Sequence, residues 1–563
     1  MEMADQGWSV SATAHTITFI NAPANAVAIA VAEYAQGAVN ATDLWAIGAW
    51  GPATGYPREV EFFSNRLFFA GTANNPQTLW SSKINNYTNF GKSVPTADDD
   101  AITATIVAKQ VNAITDLLPL ADLVTLTTGQ EWKTGGGVNN VLTPSTISFK
   151  PQSNYGAARI PGLVIGESGV FVQGRGSLVR DIGYQFSVDK YVGNDLTVFA
   201  SHLVQGFTIV DWCYQQTPFS VIWAVRDDGV LLGLAYFKEQ EVVGWFHCDS
   251  INGFVETVCS VTEGKEDAVY IGVRRIINGN TVRYIERLDT RFQTDQRDFF
   301  FVDAGLSYDG RNATTHPSAT MTLTGGVNWT SDEDLTLTCS VAQFTASSVG
   351  DWVKLYDEGV NPDGTPTGQL NVVQIKAYTN STHVTVRSIG LVSVAFRSTA
   401  ISVWDYCPDT FSGLSHLEGQ TVAILADGNV KPQQVVTSGS VTLDYPAAVV
   451  HVGLPIQADF ETLEVNAIAQ ESVRDRKKVI SKVSLIVNQS RGAKIGPSPD
   501  KLSEAKPRQV SDGYYNPNST QNDLIESYIE TDWDSKGRVF VRQDDPLPLT
   551  ILGLIADVSV AGG

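Results

Sequence analysis

From Phe207 to Asp289 the chain alternates short apolar, β-branched and aromatic runs with turn residues, in a meander of hydrophobic and polar positions. Asp227-Asp228-Gly229, Lys238-Glu239-Gln240, Glu263-Gly264-Lys265-Glu266-Asp267 and Asn278-Gly279-Asn280 punctuate it. Asp-Gly and Asn-Gly accept positive φ at low steric cost, so they favour tight hairpin turns. Runs of roughly five to eight residues between such turns predict antiparallel strands. Four of these make a twisted sheet of the kind that repeats around an axis as a propeller blade. The same texture predicts hairpins at Phe62–Phe69, turned at Ser64-Asn65-Arg66, and at Thr421–Val436, turned at Asp427-Gly428. TITFI and AVAIAVAEYA near the start, at 16–20 and 26–35, also read as strands.

Two segments break this rhythm. Between Asn194 and Val204, Leu196, Phe199, Ala200 and Leu203 share one face of a short helix, with Asn194 or Asp195 as its cap. From Thr314 to Val403 the strands become Thr- and Ser-rich, which predicts a separate small barrel inserted at a loop tip, where an insertion costs little. Such a module either projects to meet a partner or thickens the wall. Gly492 to Asn522 reads as a long Pro-, Ser- and Asn-rich loop, and VFVRQDDPLPLTILGLIADVSV as two strands closing the last sheet.

Composition agrees with β structure: 10% of the residues are aromatic and 48 are Gly in a chain of 563. The expected organisation is an N-terminal β segment over 1–50, propeller blades over 51–313, the inserted barrel over 314–403, and further blades with closing strands over 404–563. Charge excludes more than it suggests. With 39 basic and 60 acidic residues, net −21, the chain lacks the clustered Lys and Arg that phosphate contacts demand. The basic cluster Arg474–Lys478 reads either as a phosphate contact or as a solvated strand start. An acidic surface can line a passage through which DNA slides without sticking. Five scattered cysteines form no CxxC pair, which argues for free thiols and against a zinc site. The start lacks a signal-peptide pattern, and no apolar run nears the roughly 20 residues a spanning helix needs.

Candidate chemistry is sparse. Asp98-Asp99-Asp100 could bind a divalent cation, but it lacks interleaved ligand spacing and reads equally as a solvated loop. Arg66 lies between apolar runs, either as a ligand clamp or as a structural arginine that pairs with an acid or caps carbonyls. No HExxH, nucleophile elbow or phosphate-binding loop occurs, so no cofactor and no catalytic residue is expected. A glycosidase needs two carboxylates flanking the bond, and their pairing is not readable from a sequence. Trp245, Tyr155 and Trp404 could stack on sugars or fill sheet faces.

GYPREVEFFSNRLFFAGT at 55–72, LWSSKINNYTNF with DDDAI, SNYGAARIPGLVIGESGVFVQGRGSLVRDIGY at 153–184, NDLTVFASHLV, the meander, HLEGQTVAILADGNV at 416–430 and DDPLPLTILGL at 544–554 carry a family resemblance. Taken in order, they resemble the nozzle (tail tubular B-like) proteins of short-tailed bacteriophages. The resemblance implies a mainly β, propeller-like core of antiparallel blades with insertions, assembled as a homohexameric ring at the end of a virion tail. It implies as partners the tail adaptor protein, tail fibres or tailspikes, and phage DNA passing without specific binding. On that reading Asp98, Asp99, Asp100, Asp227 and Asp228, at predicted loop tips, are the candidates for the channel or its gate. A host-glycan-binding adhesin and a polysaccharide-degrading glycosidase on a propeller are the alternatives.

Overall fold

Antiparallel hairpins build nearly the whole protein. The computed structural model describes residues 8–11, 16–19, 49–137, 141–359, 369–468, 471–505, 518–529 and 533–561. The expected strand AVAIAVAEYA lies outside them. One compact unit, Met1–Tyr56 with Thr72–Asn75, holds the hairpin Trp8–Ser11/Thr16–Phe19 and a tight turn closed between Gly51 and Gly55. The second unit holds everything else described.

Six sheets of the second unit, among the described residues, are blades. Blade one comprises Glu59–Phe63, Arg66–Ala70, Thr78–Ser81 and Ile102–Thr105. Blade two runs through Ile114–Pro119, Leu123–Thr127, Glu131–Gly135 and Ser148–Ser153, and blade three through Leu163–Ile165, Ser168–Val172, Val179–Gln185 and Lys190–Val192. The meander becomes blade four (Ile209–Gln215, Val221–Arg226, Leu231–Phe237, Val242–Cys248) and the three-stranded blade five (Gly253–Glu263, Glu266–Ile277, Asn280–Arg287). Its turns are as tight as the sequence predicts. Ile277 pairs with Asn280 across Asn278 and Gly279, both at positive φ, and Phe63 pairs with Arg66 across Ser64 and Asn65, likewise both positive.

Blades two, three and four bury both faces, and apolar cores lie between neighbours from blade one to blade five. Phe68, Leu79 and Ile102 of blade one meet Leu117, Leu123 and Trp132 of blade two, while Leu118, Val124 and Leu126 on that blade's other face meet Phe171 and Ile182 of blade three. Blades three and four share Val170, Val179, Trp212 and Leu232; blades four and five share Trp223, Val225, Val258 and Ile271. Burial on both sides explains why central strands read as continuous apolar runs rather than alternating ones.

Blade six departs from the simple meander. Its first strand, Asp303–Asp309, pairs with Val449–Leu454, which pairs with Thr421–Ala426, and Asn429–Val435 forms the far edge. The barrel is inserted after that first strand. Its sheet runs, in spatial order, through Ala400–Ile401, Met321–Thr324, Leu335–Cys339, His383–Ser388, Leu370–Asn380, Trp352–Tyr356 and Val403–Cys407. Only Ser402 separates the two edge segments, so one strand, kinked there, closes the barrel. Leu323, Leu337, Val353, Val373, Ile375, Val386, Phe396 and Trp404 fill it. The barrel therefore extends past the expected end at Val403 to Cys407.

Three further expectations are corrected. The helix over 194–204 shrinks to one turn, Ser201–Val204: the Asp195 carboxylate takes the N–H and hydroxyl of Thr197 in a local turn, and Phe199 is 98% exposed. The predicted loop after Gly492 contains a hairpin, Lys494–Ser498/Lys501–Glu504. The last two strands close no blade. Phe540–Gln543 joins that hairpin and Ala458–Glu461 in one sheet, and Ile551–Val560 joins Lys478–Val487 and Leu524–Tyr528 in another. Val483, Leu485, Ile495, Ile525 and Val541 pack between the two sheets as a C-terminal sandwich. Within the basic cluster, Lys478 is buried and donates to the Ser535 carbonyl at 2.7 Å, while Arg474 and Lys477 are exposed.

Candidate functional site

The acidic run belongs to the connection between the third and fourth strands of blade one, and Arg66 shapes that connection. The Arg66 side chain is fully buried; it donates to the carbonyls of Ser82 (2.8 Å), Asp100 (2.6 Å) and Asp98 (2.9 Å). A guanidinium suits this because its donors spread in a fixed fork. Burial pulls its pKa down, opposed by the charges of Asp99 and Asp100. Arg66 is thus the carbonyl-capping arginine of the two sequence readings. Asp100 is buried as well. Its carboxylate accepts from Lys83 at 2.6 Å and from the N–H groups of Ser93 and Ala97 at 2.8 Å each. The Lys83 bond, then those N–H bonds, hold its carboxyl well below the usual range. Of the acidic run, only Asp98 and Asp99 are exposed.

Asp227 and Asp228 are exposed at the turn between the second and third strands of blade four. Asp228 is paired with Arg226 and is held below the usual carboxylate range by that bond first. Backbone bonds between neighbouring blades give their direction. The N–H of Ile114 bonds the Pro76 carbonyl at 2.8 Å, Ala157 bonds Thr127 at 2.8 Å, and Val255 bonds Gly229 at 2.9 Å. In each, the segment leading into or starting a blade meets the second-to-third connection of the preceding blade, so blades one to three share one direction, as do blades four and five. Asp98–Asp100 and Asp227–Asp228 lie in different types of connection, third-to-fourth in blade one and second-to-third in blade four, and no contact joins them among the described residues.

A different set of carboxylates does share a structural position. The first strands of blades one and two, two and three, and four and five pack on one another, and the first strands of all six blades carry Glu59, Glu61, Asp116, Asp211, Glu256, Glu263, Asp303 and Asp309 without one Lys or Arg. Ile114-Thr115-Asp116, Ile209-Val210-Asp211 and Val255-Glu256-Thr257 each place a β-bulge at the middle residue. In blades two and four the aspartate after the bulge reaches the next blade. Asp116 takes the N–H of Gly162, leading into blade three, at 2.5 Å, and Asp211 takes the Val258 N–H at 3.0 Å and the Thr257 hydroxyl. Burial, then the nearby Asp116 charge, pushes Glu59 up to about 7, against a pull from Arg58. Burial likewise raises Asp116 to about 6, with the Gly162 and Leu117 N–H groups opposing and Glu61 adding to the rise. The Ile-x-Asp signal is present in the sequence at the first strands of blades two and four.

These groups can clip blades together and hold negative charge along the strands nearest the blade axis. Among the described residues no group of His, Cys, Asp and Glu is placed to hold a metal ion. All five cysteines are free thiols; burial raises Cys213 to about 12, which suppresses thiolate chemistry there, while Cys248 and Cys259 are exposed. Of the aromatics singled out for sugar stacking, Trp404 is buried in the barrel, Trp245 donates to the Leu196 carbonyl, and Tyr155 lies beneath Arg180 at 3.6 Å. Among the described residues no helix is long and apolar enough to cross a membrane.

No family model matches the sequence, and no curated protein matches it. Among solved structures, human WBSCR16 is 10% identical, with a TM-score of 0.26 over 59% of this chain and 87% of that one. A luciferin-regenerating enzyme is 8% identical, with a TM-score of 0.24 over 60% of this chain and 92% of that one. Likenesses this low carry no argument about function.

Proposed function

We propose that this chain is a wall subunit of a short-tailed bacteriophage nozzle, a ring that retains the genome and conducts DNA during ejection. What supports the reading is the ordered resemblance along the chain. GYPREVEFFSNRLFFAGT supplies the first hairpin of blade one, LVIGESGVFVQG the first of blade three, and HLEGQTVAILADGNV the hairpin of blade six. The net charge of −21 suits a passage that repels phosphate. A ring of order above two needs one surface to meet a different surface on the next copy. The tail adaptor is the expected template, and fibres or tailspikes the expected peripheral partners.

The mass of the purified chain alone and mixed with the adaptor tests this reading. The expected result is a homohexamer, formed at least when the adaptor is present. A monomer under both conditions, or an image of the particle with the protein away from the tail axis, would overturn it.

A further inference from the structure

Blades four and five frame a cleft on their flank that nothing in the nozzle reading uses. Phe219, from the turn between the first two strands of blade four, lies 5.9 Å from Phe292 with the rings inclined at only 28°. The two rings stack on one another, and at 40% and 57% exposed they leave part of the pair open as an apolar surface. Trp223 forms the floor. Its indole N–H is held by Gln215 at 3.0 Å and its ring is braced edge-on by Phe246 at 5.5 Å. Asp267 fixes the adjoining turn by taking the N–H groups of Gln216 (2.9 Å) and Thr217 (3.0 Å).

The polar groups around this surface are unequally occupied. Arg287 is engaged by Glu263 at 3.1 Å and Asp289 at 3.7 Å. Arg291 lines the cleft with its guanidinium 5.7 Å from the Phe219 ring, and it makes no hydrogen bond or ion pair among the described residues. Glu266 spends one oxygen on the Thr290 hydroxyl at 3.0 Å and keeps the other free. An exposed aromatic pair beside one open donor fork and one open acceptor matches a pyranose, whose C–H face packs on rings while its hydroxyls give and take hydrogen bonds. We propose that this cleft binds a sugar ring of a cell-surface glycan, stacked on Phe219 and Phe292 and gripped by Arg291 and Glu266.

Calorimetric titration of the full chain with cellohexaose, chitohexaose and hexagalacturonate tests this, the last of the three separating a carboxylated sugar from neutral ones. The expected result is saturable binding of at least one probe, weakened about tenfold or more by Phe219→Leu and by Phe292→Leu. Phe199→Leu, exposed outside the cleft, should leave affinity unchanged. Arg291→Ala should weaken hexagalacturonate most if the sugar is acidic, and all bound probes alike if it is neutral. Absence of binding to all three up to about 10 mM, or binding indifferent to both cleft variants, overturns the proposal. Neither outcome bears on ring formation.

Discussion

Lys354, on the barrel, places its ammonium 2.5 Å from Oδ2 of Asp427, at the tip of the blade-six hairpin. The other oxygen of Asp427 takes the N–H groups of Ala448 and Val449, at 3.0 and 2.9 Å. One carboxylate thus joins the inserted module to the blade and holds the strand that completes that blade. Nearby, Asp405 accepts from the Tyr356 hydroxyl at 2.7 Å, and Arg297 approaches it at 3.5 Å. Asp427→Ala should lower unfolding free energy by about 3 kcal/mol, because charge-assisted bonds are lost and Lys354 is left unpaired. Lys354→Met, which keeps the apolar stem, should cost only about 1 kcal/mol. Urea denaturation of the two variants gives the comparison; equal losses would contradict the shared role of Asp427.

Arg66 should tolerate no substitute. Lys cannot span three carbonyls held in a fork, so Arg66→Lys should destabilise by about 2–3 kcal/mol through unsatisfied buried acceptors. Proteolytic cleavage within 84–99 should accelerate in step. An unchanged cleavage rate would show that the connection keeps its shape without the clamp.

The two halves of the acidic run should behave oppositely. Asp98→Lys with Asp99→Lys touches only exposed side chains and should leave stability within about 0.5 kcal/mol. Asp100→Asn removes the partner of Lys83 and should lower the denaturation midpoint markedly. In assembled tails the double variant should slow DNA passage and make it salt-dependent. Ejection kinetics unchanged across ionic strengths would remove these residues from any channel role.

Glu59 and Asp116 should tilt stability with pH. Both carboxyls are raised above their ordinary values, so the folded state binds protons more readily than the unfolded chain. Their stabilising contribution is complete below about pH 4 and is lost as pH rises through about 6 and 7. From this pair the protein should be less stable at pH 8 than at pH 5, by on the order of 1 kcal/mol once solvent screening is allowed for. Glu59→Gln should flatten that slope and stabilise the protein at pH 8. A slope unaffected by the substitution would place its origin elsewhere.

The hairpins were the most legible part of the sequence, because Asn278-Gly279 and Ser64-Asn65 encode their turns in two residues. Blade six was not. Whether Val449–Leu454 inserts between Asp303–Asp309 and Thr421–Ala426 depends on pairings across more than a hundred residues, which no local signal specifies. The C-terminal strands were recognised as strands but given to the wrong sheet for the same reason. Among the acids, type and exposure followed from turn chemistry at Asp227 and Asp228, but Asp100 looked like its neighbours until Lys83 and two backbone N–H groups enclosed it. The Ile-x-Asp bulges were visible yet gained meaning only once the blades were stacked. Phe219 lies in a blade-four turn and Phe292 in the segment after blade five, so their pairing is purely a product of folding.

The barrel enters and leaves the body through a very narrow neck. Gly310 receives the Tyr406 N–H at 2.9 Å, and Arg311 bridges Asp405, so its first and last residues run side by side. Ser402 also joins the barrel's two margins, so the module closes on itself and meets the blade at this neck and through Lys354 and Asp427.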